Sequence, residues 1–322
     1  MTTDRIYMDP RNVRNITCIG GGPIGAGWSA YFLAMGYKVT SYLHDPSEEA
    51  ALRSLIDNAW ISLQDLGLAD GASLDNLRCT SDLADACATA DFVQESAPEN
   101  IELKRALYAQ LGALVPAHVV IASSTSGLSM SEIQADCATP GRAVVGHPFN
   151  PPYLLPLVEI VKGDQTEPDA VQWLVAFYEL AGKAPLVLRK EIPGFIATRL
   201  QEAIWREALH MVANDEATVE EIDLAITNGP GPRWAIMGPC LTFHNGGGEG
   251  GMAYNLDQFG PALKLPWTRL EAPELTQELR DKMVDGCIRE AGDRDYAALS
   301  RERDRGLVAI SKALKACTEA DE

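Results

Sequence analysis

Short apolar runs alternate with longer amphipathic stretches over the first part of the chain, and this alternation predicts strands and helices in turn. The apolar runs lie near Ile16–Ile19, Val39–Leu43, Leu77–Thr80, Phe92–Gln94, Val119–Ala122, Ala143–Gly146, Leu157–Val161 and Leu186–Leu188. Helical spacing occupies Ile24–Met35, Ser47–Leu66, Ile101–Leu114, Met130–Ala135 and Glu167–Ala181. Such alternation builds a doubly wound, mostly parallel α/β sheet, expected here over residues 1–190. After Pro193-Gly194 the period changes: Phe195, Ile196, Leu200, Ala203, Ile204, Leu209 and Val212 recur at helical spacing. Thr218 with Glu221 reads as a capping box, and Asn228-Gly229 as the stop of the helix it opens. No convincing strand follows, so residues 191–322 are expected to form an all-helical second domain.

The turn after the first strand reads Gly20-Gly21-Gly22-Pro23-Ile24-Gly25. Strand, G-x-G-x-x-G, helix and second strand is the context of a dinucleotide-binding, Rossmann-type fold. Gly20 makes the turn, Gly22 lets the backbone approach a pyrophosphate, and Gly25 lets helix and strand pack closely. Pro23 and Ile24 open a helix whose free N–H groups and dipole favour the phosphates. Asp45, twenty residues past Gly25, has the spacing of a ribose-binding acid. The segment Tyr42–Glu49 holds no Arg or Lys to meet a 2′-phosphate, so NAD is expected rather than NADP.

The 322 residues allow about two domains with real cores. The net charge of −18 argues against nucleic acid and anionic membrane as partners. No signal-like run opens the chain and no stretch approaches the roughly 20 apolar residues of a membrane span. Seven scattered cysteines without a C-x-x-C suit a reduced, cytoplasmic setting. No metal site is expected.

In open parallel sheets, ligands bind beyond the carboxyl ends of the strands. Three polar segments lie there: Gln94–Asn100, Ser123–Gly127 and His147–Pro152. Glu159 is a carboxylate inside the apolar run Leu157–Val161, and burying it demands a partner. If its strand returns directly beside the strand that ends at His147, Glu159 faces His147. A carboxylate on one imidazole nitrogen leaves the other free as a general base. His118 and His210 read as structural, His244 as a core or interface histidine, and Asn245–Gly251 as a flexible connection.

These residues, together with Phe149-Asn150-Pro151-Pro152-Tyr153, Gly229–Ala235, Leu241–His244, Gly247–Met252 and Phe259–Trp267, resemble the L-3-hydroxyacyl-CoA dehydrogenase superfamily over both domains. The resemblance implies an NAD-dependent oxidoreductase acting on the hydroxyl of a 3-hydroxy acid. It implies Ser126, His147, Glu159 and Asn150 as catalytic residues, with Glu99 and Lys104 joining the glycines and Asp45 at the cofactor. The family's asparagine in the helix after Pro-Gly-Phe-Ile is Thr198 here, and its strand-end acid is Leu43. The second-domain motifs are closest to relatives that act on a small quaternary-ammonium hydroxy acid. Aromatic faces suit such a cation, and Trp234, Phe243, Tyr254, Phe259 and Trp267 offer them; Arg199 and Arg233 are candidates for its carboxylate. A homodimer through the second domain is expected. Rival readings are a CoA thioester or L-gulonate as substrate, and a crystallin-like dinucleotide-binding protein without catalysis.

Overall fold

A computed structural model of the chain describes residues 7–269 and 276–295, with positions 298, 299, 302, 309, 310 and 313 beyond them. It divides into two compact units, Met1–Leu200 and Gln201–Glu322.

The first unit is built on eight strands: β1 (Asn15–Ile19), β2 (Lys38–Tyr42), β3 (Leu77–Thr80), β4 (Phe92–Glu95), β5 (Val120–Ser123), β6 (Ala143–Pro148), β7 (Leu157–Lys162) and β8 (Ala184–Val187). They form one sheet in the order β3-β2-β1-β4-β5-β6-β7-β8. Every pairing is parallel except β6 with β7. The strand order reverses between β1 and β4, which opens the crevice where ligands enter such sheets. The last strand lies two residues earlier than its apolar run suggests, because β8 is an edge strand whose side chains are mostly exposed.

Helices α1 (Pro23–Ala34), α2 (Glu49–Leu66), α3 (Leu83–Cys87), α4 (Ile101–Leu114), α5 (Met130–Ile133) and α6 (Pro168–Leu180) cover the sheet. The short α3, opened by Asp82 as its N-cap, has no counterpart in the apolar pattern. On one face, Trp28 of α1 stacks on Phe32 at 5.1 Å and on Tyr178 of α6 at 5.7 Å, and Phe92 meets Phe177 at 4.5 Å. Each such side chain contributes about 1.5–3 kcal/mol by leaving water. On the other face, Leu107, Tyr108 and Leu111 of α4 pack with Val93, Ile121 and Val145. The sheet's middle strands are therefore clamped from both sides, and their carboxyl ends are rigid mounts for loops.

The helix α7 (Ala197–Ala213) begins just after two left-handed residues, Gly194 (φ 71°) and Phe195 (φ 49°). The second unit continues with α8 (Val219–Asn228), α9 (Pro230–Trp234), α10 (Pro239–Gly246), α11 (Gly251–Phe259) and α12 (Gln277–Ala291). The Thr218–Glu221 capping box is formed as expected: the Thr218 hydroxyl accepts from the Glu221 amide, and the Glu221 carboxylate accepts from the Thr218 amide. The run Asn245–Gly251 is ordered, contrary to expectation. It ends α10, makes a 3₁₀ turn over Gly248–Gly250 and enters α11. His244 explains this order, since its Nδ1 accepts from the Met252 amide at 3.1 Å. Met237, Leu241, Ala291 and Leu299 form the buried centre of this unit among the described residues.

Candidate active site

The glycine turn has the geometry a pyrophosphate needs. Gly20 has φ 105°, and a Cβ there would lie 2.6 Å from the Ser96 carbonyl oxygen. A Cβ on Gly25 would lie 2.0 Å from the Gly20 carbonyl oxygen, so only glycine lets α1 sit so close to β1. Gly22 is different: a Cβ there would meet no protein atom within 4 Å. Nothing in the fold itself requires glycine at 22, whereas a ligand's approach to the backbone does. No side chain caps α1, and Pro23 and Ile24 fill its first turn, so its leading amides remain open to an anion. A cavity of about 730 Å³ adjoins the turn, lined by Gly20, Gly21, Gly22, Tyr42, His44, Glu48, Ser96 and Ala97 among others. Its size suits a nucleoside.

Asp45 does not belong to that lining. Its Oδ1 accepts from the Ser47 amide at 2.8 Å and caps a short 3₁₀ turn, and these bonds hold its carboxyl below the usual range. Residue spacing alone placed it at the ribose; the local turn draws the carboxylate onto its own backbone instead.

The last residue of β4 is a buried carboxylate that sequence reasoning missed. Glu95 is fully buried and accepts from Lys104 Nζ and the Ala97 amide at 2.6 Å each, and from the Ser123 hydroxyl at 2.5 Å. Lys104 is itself 1% exposed and donates also to the Ala97 carbonyl at 3.1 Å. Its ammonium is therefore occupied within the loop and braces it from behind, rather than standing open to a cofactor as expected. Glu99 likewise ties two loops together. Its Oε1 accepts from the Thr125 hydroxyl at 2.6 Å and from the Ser126 and Gly127 amides at 2.9 and 3.3 Å. Ser124 is a second knot, within hydrogen-bond distance of Trp28 Nε1, Gln94 Nε2 and Ser96 Oγ. The exposed Ser126 thus stands on a loop pinned at both flanks.

The antiparallel register of β6 and β7 places His147 directly opposite Glu159. His147 Nδ1 lies 3.0 Å from Glu159 Oε2. The other carboxylate oxygen accepts from the amides of Ile196 and Ala197 at 2.8 Å each. These two amides lead into α7, and the left-handed backbone at Gly194 and Phe195 turns them toward the carboxylate. Burial pushes the Glu159 carboxyl up, but the bonds from His147, Ala197 and Ile196 outweigh it and hold the group below its ordinary value. A buried carboxylate with every oxygen satisfied stays ionised and fixed. The His147 ring is wedged between Phe149 and Phe195, with ring centres 5.5 Å from each. With Nδ1 engaged, Nε2 has no protein hydrogen-bond partner among the described residues.

Asn150 is exposed in the loop after β6. Thr198 and Arg199 lie in the first turn of α7, directly after the amides that hold Glu159. Arg233 and Trp234 end α9, Phe243 lies in α10 and Tyr254 in α11. Phe243, Tyr254, Phe259 and Trp267 are 51–71% exposed, so none of these four rings fills a core.

Comparison with known proteins agrees with this geometry. Family models match at residues 15–192 (3-hydroxyacyl-CoA dehydrogenase, NAD binding domain) and 194–286 (3-hydroxyacyl-CoA dehydrogenase, C-terminal domain). The chain belongs to the 3-hydroxyacyl-CoA dehydrogenase family. An L-carnitine dehydrogenase of Nocardiopsis dassonvillei is 57% identical over 99% of this chain and 97% of its own. One of Streptomyces griseus is 60% identical over 94% of this chain and 91% of its own. Among solved structures, 5-formyl-3-hydroxy-2-methylpyridine 4-carboxylic acid 5-dehydrogenase, an NAD⁺-dependent dismutase, superposes with a TM-score of 0.73 at 28% identity, covering 94% of this chain and 99% of that one. This 3-hydroxyacyl-CoA dehydrogenase family member is thus an NAD-dependent dehydrogenase that oxidises a hydroxyl group, and NAD is its cofactor.

Proposed function

We propose that the enzyme oxidises the 3-hydroxyl of L-carnitine to 3-dehydrocarnitine, with His147 as general base. The observation that carries the chemistry is the His147–Glu159 pair at 3.0 Å, buried at the end of β6. The substrate follows from the full-length likeness to curated L-carnitine dehydrogenases.

The nicotinamide, when bound, supplies the acceptor for the hydride leaving C3. The protein's part is to take the hydroxyl proton. His147 Nε2 receives it, and Glu159 keeps the Nδ1 proton in place and offsets the charge of the imidazolium. Because Glu159 is itself anchored by the Ile196 and Ala197 amides, the imidazole is held in one tautomer and one orientation before substrate arrives. Ser126 hydrogen-bonds the substrate oxygen from its pinned loop, and Asn150 shapes the opposite loop or contacts the same oxygen. Thr198 has one hydroxyl where relatives carry an amide, and reaches the substrate directly or through water. Trp234, Phe243, Tyr254, Phe259 and Trp267 supply faces for the trimethylammonium group, which has no N–H to donate and favours aromatic rings by about 0.5–2 kcal/mol each. Arg199 or Arg233 takes the carboxylate.

The exposed apolar row on α7, Leu200, Ile204, Leu209 and Val212, supports a homodimer through the second unit. No described helix is long and apolar enough to cross a membrane. We place the enzyme in the cytoplasm on its seven scattered cysteines without a C-x-x-C, a pattern that suits a reduced setting.

A substrate panel tests the reading: NADH formation from L-carnitine, D-carnitine, L-gulonate and 3-hydroxybutyryl-CoA. L-Carnitine is expected to give the highest kcat/KM. A preference for the CoA thioester or for L-gulonate would replace the substrate while leaving the catalytic pair standing.

A further inference from the structure

Residue spacing points to Asp45 as the ribose-binding acid, but the cavity beside the glycine turn is lined by a different carboxylate, Glu48. The first position beyond β2 is Leu43, which is 1% exposed, with Cδ2 2.8 Å from the point a Cβ on Gly21 would occupy. It fills that corner with hydrocarbon and accepts no hydrogen bond. Asp45 caps its own turn and does not line the cavity. Glu48 does line it. Its Oε2 lies 3.3 Å from the same point above Gly21, so the carboxylate rests against the second residue of the glycine turn. The neighbouring carboxylate, Glu49, is held by Arg53 at 2.8 Å, whereas Glu48 has no side-chain hydrogen bond or ion pair among the described residues. An exposed carboxylate on the cavity wall beside the phosphate turn is an acceptor facing the place where a nucleoside's sugar must pass.

We propose that Glu48 accepts the hydrogen bonds of the vicinal hydroxyls of the adenosine ribose, and is the residue that selects NAD over its 2′-phosphorylated form. Two neutral donors on one ionised acceptor make strong bonds. A 2′-phosphate at that point would instead meet a like charge. The guanidinium one turn along α2, Arg53, is engaged with Glu49, and no lysine or arginine lies between Tyr42 and Glu49 to relieve the repulsion. The acid has moved from the strand end to the start of the following helix, and the fold returns it to the same cavity. The inference rests on the NAD cofactor alone, not on carnitine as substrate.

Titration of the full-length protein with NADH and NADPH, followed by nicotinamide fluorescence, tests this without recourse to turnover. The parent is expected to bind NADH more tightly than NADPH. Glu48→Gln is expected to weaken NADH by about tenfold, with NADPH unchanged or tighter and the melting temperature of the free protein unmoved. Adding Leu43→Asp to that variant returns an acid to the strand end and is expected to recover NADH binding. Asp45→Asn and His44→Ala are each expected to stay within about twofold of the parent for NADH. The proposal is overturned if Glu48→Gln binds NADH as the parent does, or if Asp45→Asn or His44→Ala causes the tenfold loss in its place.

Discussion

At the scale of single residues, the site depends on one carboxylate being both buried and satisfied. Glu159 spends one oxygen on His147 and the other on two backbone amides. Glu159→Gln puts an amide where the imidazole needs an acceptor and favours the tautomer in which Nε2 carries the proton. Its kcat is expected to fall by about 10²–10⁴, with NADH affinity retained; near-parental kcat would remove Glu159 from the orienting role. The same residue gives a pH signature. Its folded pKa lies below its unfolded one. It therefore stabilises the fold above the unfolded value, about 4.3, and loses that contribution as pH falls through the folded value. Acid denaturation monitored by circular dichroism is expected to destabilise the parent more steeply than Glu159→Gln over that range. The pairing was legible beforehand because a charge inside Leu157–Val161 demands a partner and an antiparallel return supplies only one. Glu95 was not legible, since it ends its strand beside polar neighbours and looks like any loop-facing acid.

At the scale of elements, the strands could be read from the chain because each central one is a short apolar run bounded by turn residues. The edge strand β8, half in water, and the five-residue α3 lacked that contrast. Asp45 shows a related limit: spacing counts residues but not the direction a local turn gives a side chain, and here the turn sets its Oδ1 on the Ser47 amide. The glycine turn separates fold from function cleanly. Gly22→Ala is expected to leave the melting temperature unchanged yet to weaken NADH binding, since the new Cβ meets no protein atom within 4 Å. Gly25→Ala is expected to lower both, because its Cβ would collide with the Gly20 carbonyl. Equal effects of the two on stability would contradict this division. The loop after His147 has its own anchor. Lys183 is 7% exposed; its ammonium donates to the Pro152 carbonyl and, at 3.2 Å, to that of Leu155, and lies 3.5 Å from the centre of the Tyr31 ring. Burial pushes it from 10.5 down to about 7. Between those values the unfolded chain binds a proton that the folded chain does not, so stability should rise with pH across that window. Chemical denaturation of Lys183→Met is expected to show a flatter pH dependence there than the parent, and an identical slope would refute the assignment.

At the scale of the whole molecule, the first unit carries the glycine turn, the His147–Glu159 pair and the pinned loops, and the family likeness extends into the second unit as well. Fold class and cofactor were legible because strand–glycine–helix order is a backbone requirement. The aromatics of the second unit were not sortable, because a ring that binds a cation and a ring that fills a core look alike in sequence, and only exposure of 51–71% separates them. Light scattering at micromolar concentration is expected to give the mass of a dimer, and a monomer's mass would contradict the role assigned to the α7 row. The most direct test of the central claim is the turnover of L-carnitine by His147→Asn beside a titration of that variant with NADH. Loss of about 10²–10⁴ in kcat with NADH bound as tightly as by the parent is the expected result, whereas oxidation at the parental rate would show that the proton leaves by another route.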